Sequence, residues 1–234
     1  NSGIAYILVQ HLHPEHSSSL PEILQRETTI PVYEIRDNVE VKRDHIYIIP
    51  SNKMLVATDG ILQLSPRPRD QKNMPIDIFF SSLAQVHQSH AIGIVLSGTG
   101  ADGTIGLKNI KGQGGITFAQ APDSAAYDAM PQSAINAEVV DFILPPEKMP
   151  QKLLELHHTF NMVSLNDSKE GQLTEEESFK KILSLLRIRK AVDFTYYKQT
   201  TIRRRILRRL AILKKETVAD YLEYLKENKP EQDI

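Results

Sequence analysis

The chain is predicted to fold as an α/β domain on a mainly parallel, doubly wound sheet, followed by a small all-α domain. Three observations carry that expectation. Apolar runs of strand length alternate with amphipathic, helix-length segments up to about residue 160. A polar stretch lacking apolar periodicity, 164–176, then reads as a linker. Every segment beyond it has helical spacing. The domain bounds read from this pattern are 1–163, a linker 164–176, and 177–234.

The elements follow in order. Ile4 to Val9 is continuously apolar and partly β-branched, a buried strand, and Pro14 prevents its continuation. Ser17 to Gln25 places Leu20, Ile23 and Leu24 at helical spacing. Val32 to Val41 and His45 to Ile49 read as strands, the second closed by Pro50. Asp59-Gly60 between the apolar runs 54–57 and 61–64 signals a hairpin. The stretch 65–73 is polar and rich in Pro and Arg, hence a loop, and Ile76 to Gln88 is an amphipathic helix. A strand at Ile92 to Leu96, helix at Thr104 to Ile110, strand at Ile116 to Ala119, helix at Tyr127 to Asn136 and strand at Val139 to Leu144 come next. Pro150 to Met162 closes the first domain as a helix. In the tail, Thr174 with Glu177 and Thr217 with Asp220 have capping-box spacing. Between them, Thr200 or Thr201 caps a helix striped by Ile202, Ile206, Leu210 and Leu213. Lys229-Pro230 opens a further, truncated segment.

Composition narrows the function classes. A 41% hydrophobic, 24% charged chain is an ordinary soluble globular one. A net charge of −1 gives no global steering toward nucleic acid or anionic membrane, so charge arguments are local. The absence of cysteine excludes disulfides and thiol nucleophiles and fits a reducing compartment, the cytoplasm. No apolar run approaches the roughly 20 residues that span a bilayer. The chain does not begin with Met and enters a strand almost at once, so a fragment is expected.

Chemistry is expected at Ser97-Gly98-Thr99-Gly100-Ala101-Asp102-Gly103, a glycine-rich turn after an apolar strand. Ligands of open parallel sheets sit outside the carboxyl ends of the strands. His11 also lies just past a predicted parallel strand, hence on the same edge. Histidine is the usual general base near neutral pH, and a carboxylate on its other nitrogen fixes its tautomer. Taken alone, the pair reads first as a satisfied turn and a surface histidine. A nucleophile is missing: Ser2 lies nine extended residues from His11, about 30 Å at the strand's other end, and Ser17 to Ser19 suit capping.

Four stretches together resemble the catalytic domain of the chemotaxis receptor methylesterase CheB. They are Gln10-His11-Leu12-His13-Pro14, Pro75-Ile76-Asp77, Gly98 to Gly103, and Met130-Pro131-Gln132-Ser133-Ala134-Ile135. The resemblance implies a Ser-His-Asp esterase acting on glutamate methyl esters of chemoreceptor helices, without a cofactor. His11 would be the general base and Asp102 its orienting carboxylate. Gly98, Thr99 and Gly100 would help hold the oxyanion. The family's serine lies in a turn before the histidine strand, which here falls before Asn1, so this stretch by itself is expected to be inactive.

The tail is similar to the amino-terminal domain of the receptor methyltransferase CheR, through Asp193-Phe194-Thr195-Tyr196-Tyr197-Lys198 and Thr201-Ile202-Arg203-Arg204-Arg205-Ile206. That likeness implies a fused protein whose S-adenosylmethionine domain lies beyond Ile234. It also implies that Arg203, Arg204 and Arg208 dock on an acidic receptor helix, for which guanidinium groups are suited. Arg205 and Arg209 share that helix, and a solvated face or nucleic-acid binding are the other readings; no aromatic base-reading pattern accompanies the run. Receiver or histidine-kinase domains are further partners that the family implies.

Two other chemistries compete. His11, His13 and His16 with Glu15 imitate the zinc-binding run of metallo-β-lactamase-like hydrolases. Gly98 to Gly103 also fits a dinucleotide-binding fingerprint with Asp123 as its acid, but Asp102 would set a negative charge beside the pyrophosphate. A docking scaffold without catalysis is the third alternative.

Overall fold

The computed structural model describes residues 2–11, 18–67, 74–165, 175–190, 194, 197 and 199–234. It divides into two units, 1–146 and 147–234.

In the first unit the elements are β1 (Tyr6–Leu8), α1 (Leu20–Glu27), β2 (Val32–Glu34), β3 (Val39–Glu40), β4 (Ile46–Ile48), β5 (Lys53–Thr58), β6 (Ile61–Pro66) and α2 (Pro75–His87). They continue as β7 (Ile92–Val95), α3 (Thr104–Gly112), β8 (Ile116–Gln120), α4 (Ala129–Asn136) and β9 (Phe142–Leu144). The order β1-β4-β2 forms one parallel sheet and β7-β8-β9 another, while β3-β6-β5 is antiparallel. Parallel sheets flanked by helices are the α/β architecture the alternating pattern predicts.

The hairpin falls at Asp59-Gly60, with Thr58 opposite Ile61 and Gly60 at a φ of 74°. The expected strand from Val32 to Val41 is instead two. Ile35 donates to the Ile48 carbonyl and is buried, after which Asp37 caps the Asn38 N–H and the chain turns into a different sheet. The last strand is also shorter than Val139 to Leu144. Glu138 takes a φ of 56°, and Val139 is drawn into the core before pairing begins at Phe142. The segment read as a loop from 65 begins as strand, because Met54 and Lys53 pair with Ser65 and Pro66.

One core joins these layers. Phe79, Ala84, Leu107, Ile110 and Val95 meet Ile35, Leu55 and Leu62, all under one-tenth exposed. Helices α2 and α3 pack together most closely at Gly106, where a Cβ would fall inside van der Waals contact with Phe80 Cβ and 3.2 Å from the Asp77 backbone.

The second unit comprises α5 (Met149–Leu165), α6 (Glu175–Lys190), α7 (Gln199–Leu213), α8 (Val218–Glu227) and the short α9 (Lys229–Gln232). Phe179 and Ile182 of α6, Ile202, Ile206 and Leu210 of α7, and Tyr221, Leu222 and Leu225 of α8 form its core. Thr217 and Asp220 cap α8 reciprocally, as their spacing predicts. Thr174 lies outside the described residues, as do 166–174 of the expected linker. Helix α5 falls in this unit, where Glu155 pairs with Lys214 at 3.3 Å. Among the described residues, no helix is long and apolar enough to cross a membrane.

Gly106→Ala tests the α2–α3 packing. In a helix alanine is favoured over glycine by about 1 kcal/mol. Overpacking costs roughly 1–3 kcal/mol, and a β-carbon pressed on another β-carbon cannot swing aside. Net destabilisation is expected, read as a lower urea midpoint; a midpoint at or above the parent's would show that the helices separate without cost.

Candidate active site

Two helices begin beside each other at the centre of the first unit, and neither has a side-chain cap of its own. The residue before α2 is Met74, and Pro75 fills its first position, where a missing N–H costs nothing. The next two N–H groups, of Ile76 and Asp77, have no carbonyl one turn back. Both donate to Asp102, to Oδ2 at 3.0 Å and Oδ1 at 2.9 Å. The residue before α3 is Gly103, at a φ of 91°, which has no side chain to offer. Its place is taken by Asp77, whose Oδ1 accepts from the Gly106 N–H at 2.7 Å. Helix α2 is thus capped by Asp102 of the turn before α3, and α3 by Asp77 of α2.

Asp102 is 3% exposed and also accepts from the Gly103 N–H at 2.8 Å. Three backbone donors at the start of α2 and in the turn before α3 fix the position of its carboxylate. Its Oδ2 also takes His11 Nε2 at 2.8 Å. The imidazole follows β1, and its side chain is 40% exposed. With the carboxylate on Nε2, the ring proton is drawn there and Nδ1 becomes the basic nitrogen. Residues 91 apart in sequence therefore meet, although the strands before them, β1 and β7, belong to two sheets and not to one shared edge.

Residues 1–153 match the family model described as CheB methylesterase. The chain belongs to that family. Residues 177–234 match the model described as CheR methyltransferase, all-alpha domain. A Rhodobacter capsulatus protein described as an uncharacterized 104.1 kDa protein in hypE 3'region is 31% identical over 232 residues, 91% of this chain and 24% of that protein. A putative protein-glutamate methylesterase/protein-glutamine glutaminase of Leptospira interrogans is 33% identical over 66% of this chain and 81% of its own length. The crystal structure of the Thermotoga maritima CheB methylesterase catalytic domain is similar with a TM-score of 0.59 and 32% identity, covering 64% of this chain and 82% of that one. The chain spans 44% of the length of the Trichodesmium erythraeum methylesterase/glutaminase.

In this CheB-type domain the glycine turn is organised by Ser97. Its N–H donates to Gln120 Oε1 at 2.8 Å, and its Oγ accepts from the Tyr127 N–H at 2.9 Å. The Gly98 N–H donates to the Tyr127 carbonyl, so it is already used. Of the three expected oxyanion donors, Thr99 and Gly100 are exposed and make no backbone hydrogen bond among the described residues. Ser2 binds Asp44, far along the chain from the site. His13 and His16 lie outside the described residues, and no group of three potential metal ligands occurs among the rest. Asp123 sits on a short 3-10 turn after β8. His11 borders a shallow depression with Gln10, Asn52 and the cations Lys53 and Arg67.

The arginines of α7 are not one solvated face. Arg208 is only 8% exposed, so its reading as a receptor contact does not fit its burial. Arg209 forms a two-point pair with Glu231 at 2.7 and 2.6 Å, and Tyr221 donates to the same carboxylate at 3.0 Å. Burial, with Glu231 beside it, pushes the Tyr221 hydroxyl well above its usual range. Arg203 pairs with Glu176 and lies 4.6 Å above the Phe179 ring. Arg204 is half-buried and Arg205 exposed.

Sequence reasoning named Pro75 to Asp77 only as a family stretch and missed the cap. Asp77 is 6% exposed, and its Oδ2 has no hydrogen-bond partner. Burial, with the neighbouring charge of Asp102, raises its pKa, against the pull of the Gly106, Gly103 and Ile105 N–H groups. A folded-state pKa above the unfolded value means the native chain binds more protons in that window. Stability attributable to Asp77 is therefore full below the ordinary carboxylate range and is lost as pH rises through the raised value. Asp77→Asn is expected to remove this loss, measured by urea unfolding from pH 3 to 7 as a shallower decline or steeper rise than in the parent. Parallel curves would reject the strained charge.

Proposed function

We propose that the first unit hydrolyses glutamate methyl esters on chemoreceptors, releasing methanol. The observation that carries this reading is the 2.8 Å contact between His11 and an Asp102 whose remaining acceptor sites are taken by backbone N–H groups. A carboxylate so fixed can do little but orient the ring and stabilise the imidazolium formed when the ring takes a proton.

In this mechanism His11 Nδ1 removes the proton of a serine hydroxyl as its oxygen attacks the ester carbonyl. The tetrahedral oxyanion is held by the Thr99 and Gly100 N–H groups. Collapse expels methanol, which receives the proton from the imidazolium. Water, activated by the same nitrogen, then releases the glutamate carboxylate and regenerates the serine. Ser97 is engaged in building the turn, and the nucleophile we assign is the serine that the family carries in a turn before its histidine strand. Lys53 and Arg67 beside His11 suit a receptor helix rich in carboxylates.

The CheR-type unit extends the proposal to a methyltransferase in the whole protein, using S-adenosylmethionine held by a further domain. Arg203 and Arg204 are its proposed contacts to an acidic receptor helix, in a cytoplasmic signalling protein where receiver or kinase domains are further partners.

The test is methanol release from a methylated receptor fragment by the full-length protein. His11→Ala and Asp102→Asn are each expected to lower kcat by roughly 10³–10⁴-fold. Asp102→Asn also turns an NH₂ toward backbone donors, so a lower Tm accompanies its loss, whereas His11→Ala leaves Tm near the parent's. Turnover close to the parent's in His11→Ala would overturn the assignment.

A further inference from the structure

We propose that Asp77 is a positioning residue for the His11–Asp102 pair, acting through the exchange of caps between α2 and α3. This rests on the esterase reading of the site.

The geometry is a closed loop of short contacts. Asp102 reaches from the turn before α3 to the N–H groups of Ile76 and Asp77. Asp77 reaches from α2 to the N–H of Gly106. The closure is possible because residue 106 is a glycine, which brings the two first turns within backbone contact. Asp102 can rotate about its own side-chain bonds, so two amides from a separate element are what fix the plane of its carboxylate. Those amides move with α2. If Asp77 releases Gly106, α2 and α3 are free to slide at their first turns, and Oδ2 no longer holds its aim at His11 Nε2. A shift of about 1 Å in a catalytic group can cost roughly 10²-fold in rate.

An alternative role for Asp77 is that of an ordinary cap, contributing to the fold alone. Its setting argues otherwise. The carboxylate is buried beside a second carboxylate and leaves one oxygen unpaired. A serine or threonine would cap Gly106 without a buried charge. Its one bonded oxygen ties the first turn of α3 to the helix whose N–H groups hold Asp102, which is a positioning task as well as a stabilising one.

Two variants test this in the full-length protein. Asp77→Ala removes the clamp and is expected to lower kcat, per folded molecule, by at least ~10-fold with KM within about twofold. Asp77→Asn keeps an acceptor for the Gly106 N–H and is expected to recover kcat to within about threefold of the parent. In the 234-residue chain, amide exchange at Ile76 and Gly103 should quicken in Asp77→Ala and stay at the parental rate in Asp77→Asn. Parental kcat in Asp77→Ala, or an equal loss in both variants, would overturn the proposal. If Asp77→Ala does not fold, Asp77→Asn decides: near-parental kcat and exchange sustain the clamp, and a tenfold loss rejects it. If the parent itself hydrolyses no ester, the esterase reading falls and the exchange measurements alone decide whether the clamp exists.

Discussion

The carboxylate of Asp102, set against the first turn of α2, is the contact on which the rest of the site depends. Burying an ion costs several kcal/mol even after relaxation. Hydrogen bonds to a charged group return about 1.5–3 kcal/mol each, and a helix start adds roughly 0.3–1 kcal/mol. Three backbone donors and one helix end are therefore of the size needed to offset the cost. The imidazole is not required for that balance. It lies at the rim, well exposed, against a charge already secured by main chain. Its contact with Asp102 is consequently available for proton transfer without the fold depending on it.

The fold supplies this arrangement by bringing three distant segments to one place. Strand β1 delivers His11, strand β7 delivers the glycine turn, and α2 delivers two N–H groups from between them. The apolar contacts of Phe79 and Phe80 with the α3 side of the core set the separation of the helices. The exchange of Asp102 and Asp77 sets their register. Hydrophobic contact is non-directional, so it can hold the helices together but cannot by itself aim an N–H group. Polar caps do that.

How far the sequence was legible follows from the range of each signal. The Asp59-Gly60 hairpin and the Thr217–Asp220 box are written within four residues and need no tertiary partner. That His11 and Asp102 each follow a strand was legible, but β1 and β7 lie in different sheets, so their meeting depends on how those sheets pack and not on a shared edge. The capping of Asp102 was not, because an N–H group has no side-chain identity to read. Asp77 was named only within the family stretch Pro75 to Asp77, and nothing local indicates that it serves another helix. The break between β2 and β3 was hidden by the apolar residues on both sides, Ile35 being core and Val39 strand. The arginine face misled for the same reason of range: Glu231, which engages Arg209, is 22 residues away. Helical spacing reports which side a residue is on, not what is packed there.

The site also bears on whether the unit catalyses or only docks. Here two buried carboxylates stand together, one with an orphaned oxygen and a raised pKa. Docking requires a surface, and a surface does not require buried anions beneath it. Proton transfer does require one, because an imidazolium generated at the rim must be stabilised by a charge that neither moves nor takes the proton. The Asp77–Asp102 pair sets the register of α2 and α3, and in the proposed turnover it also gives the protonated His11 a fixed counter-charge.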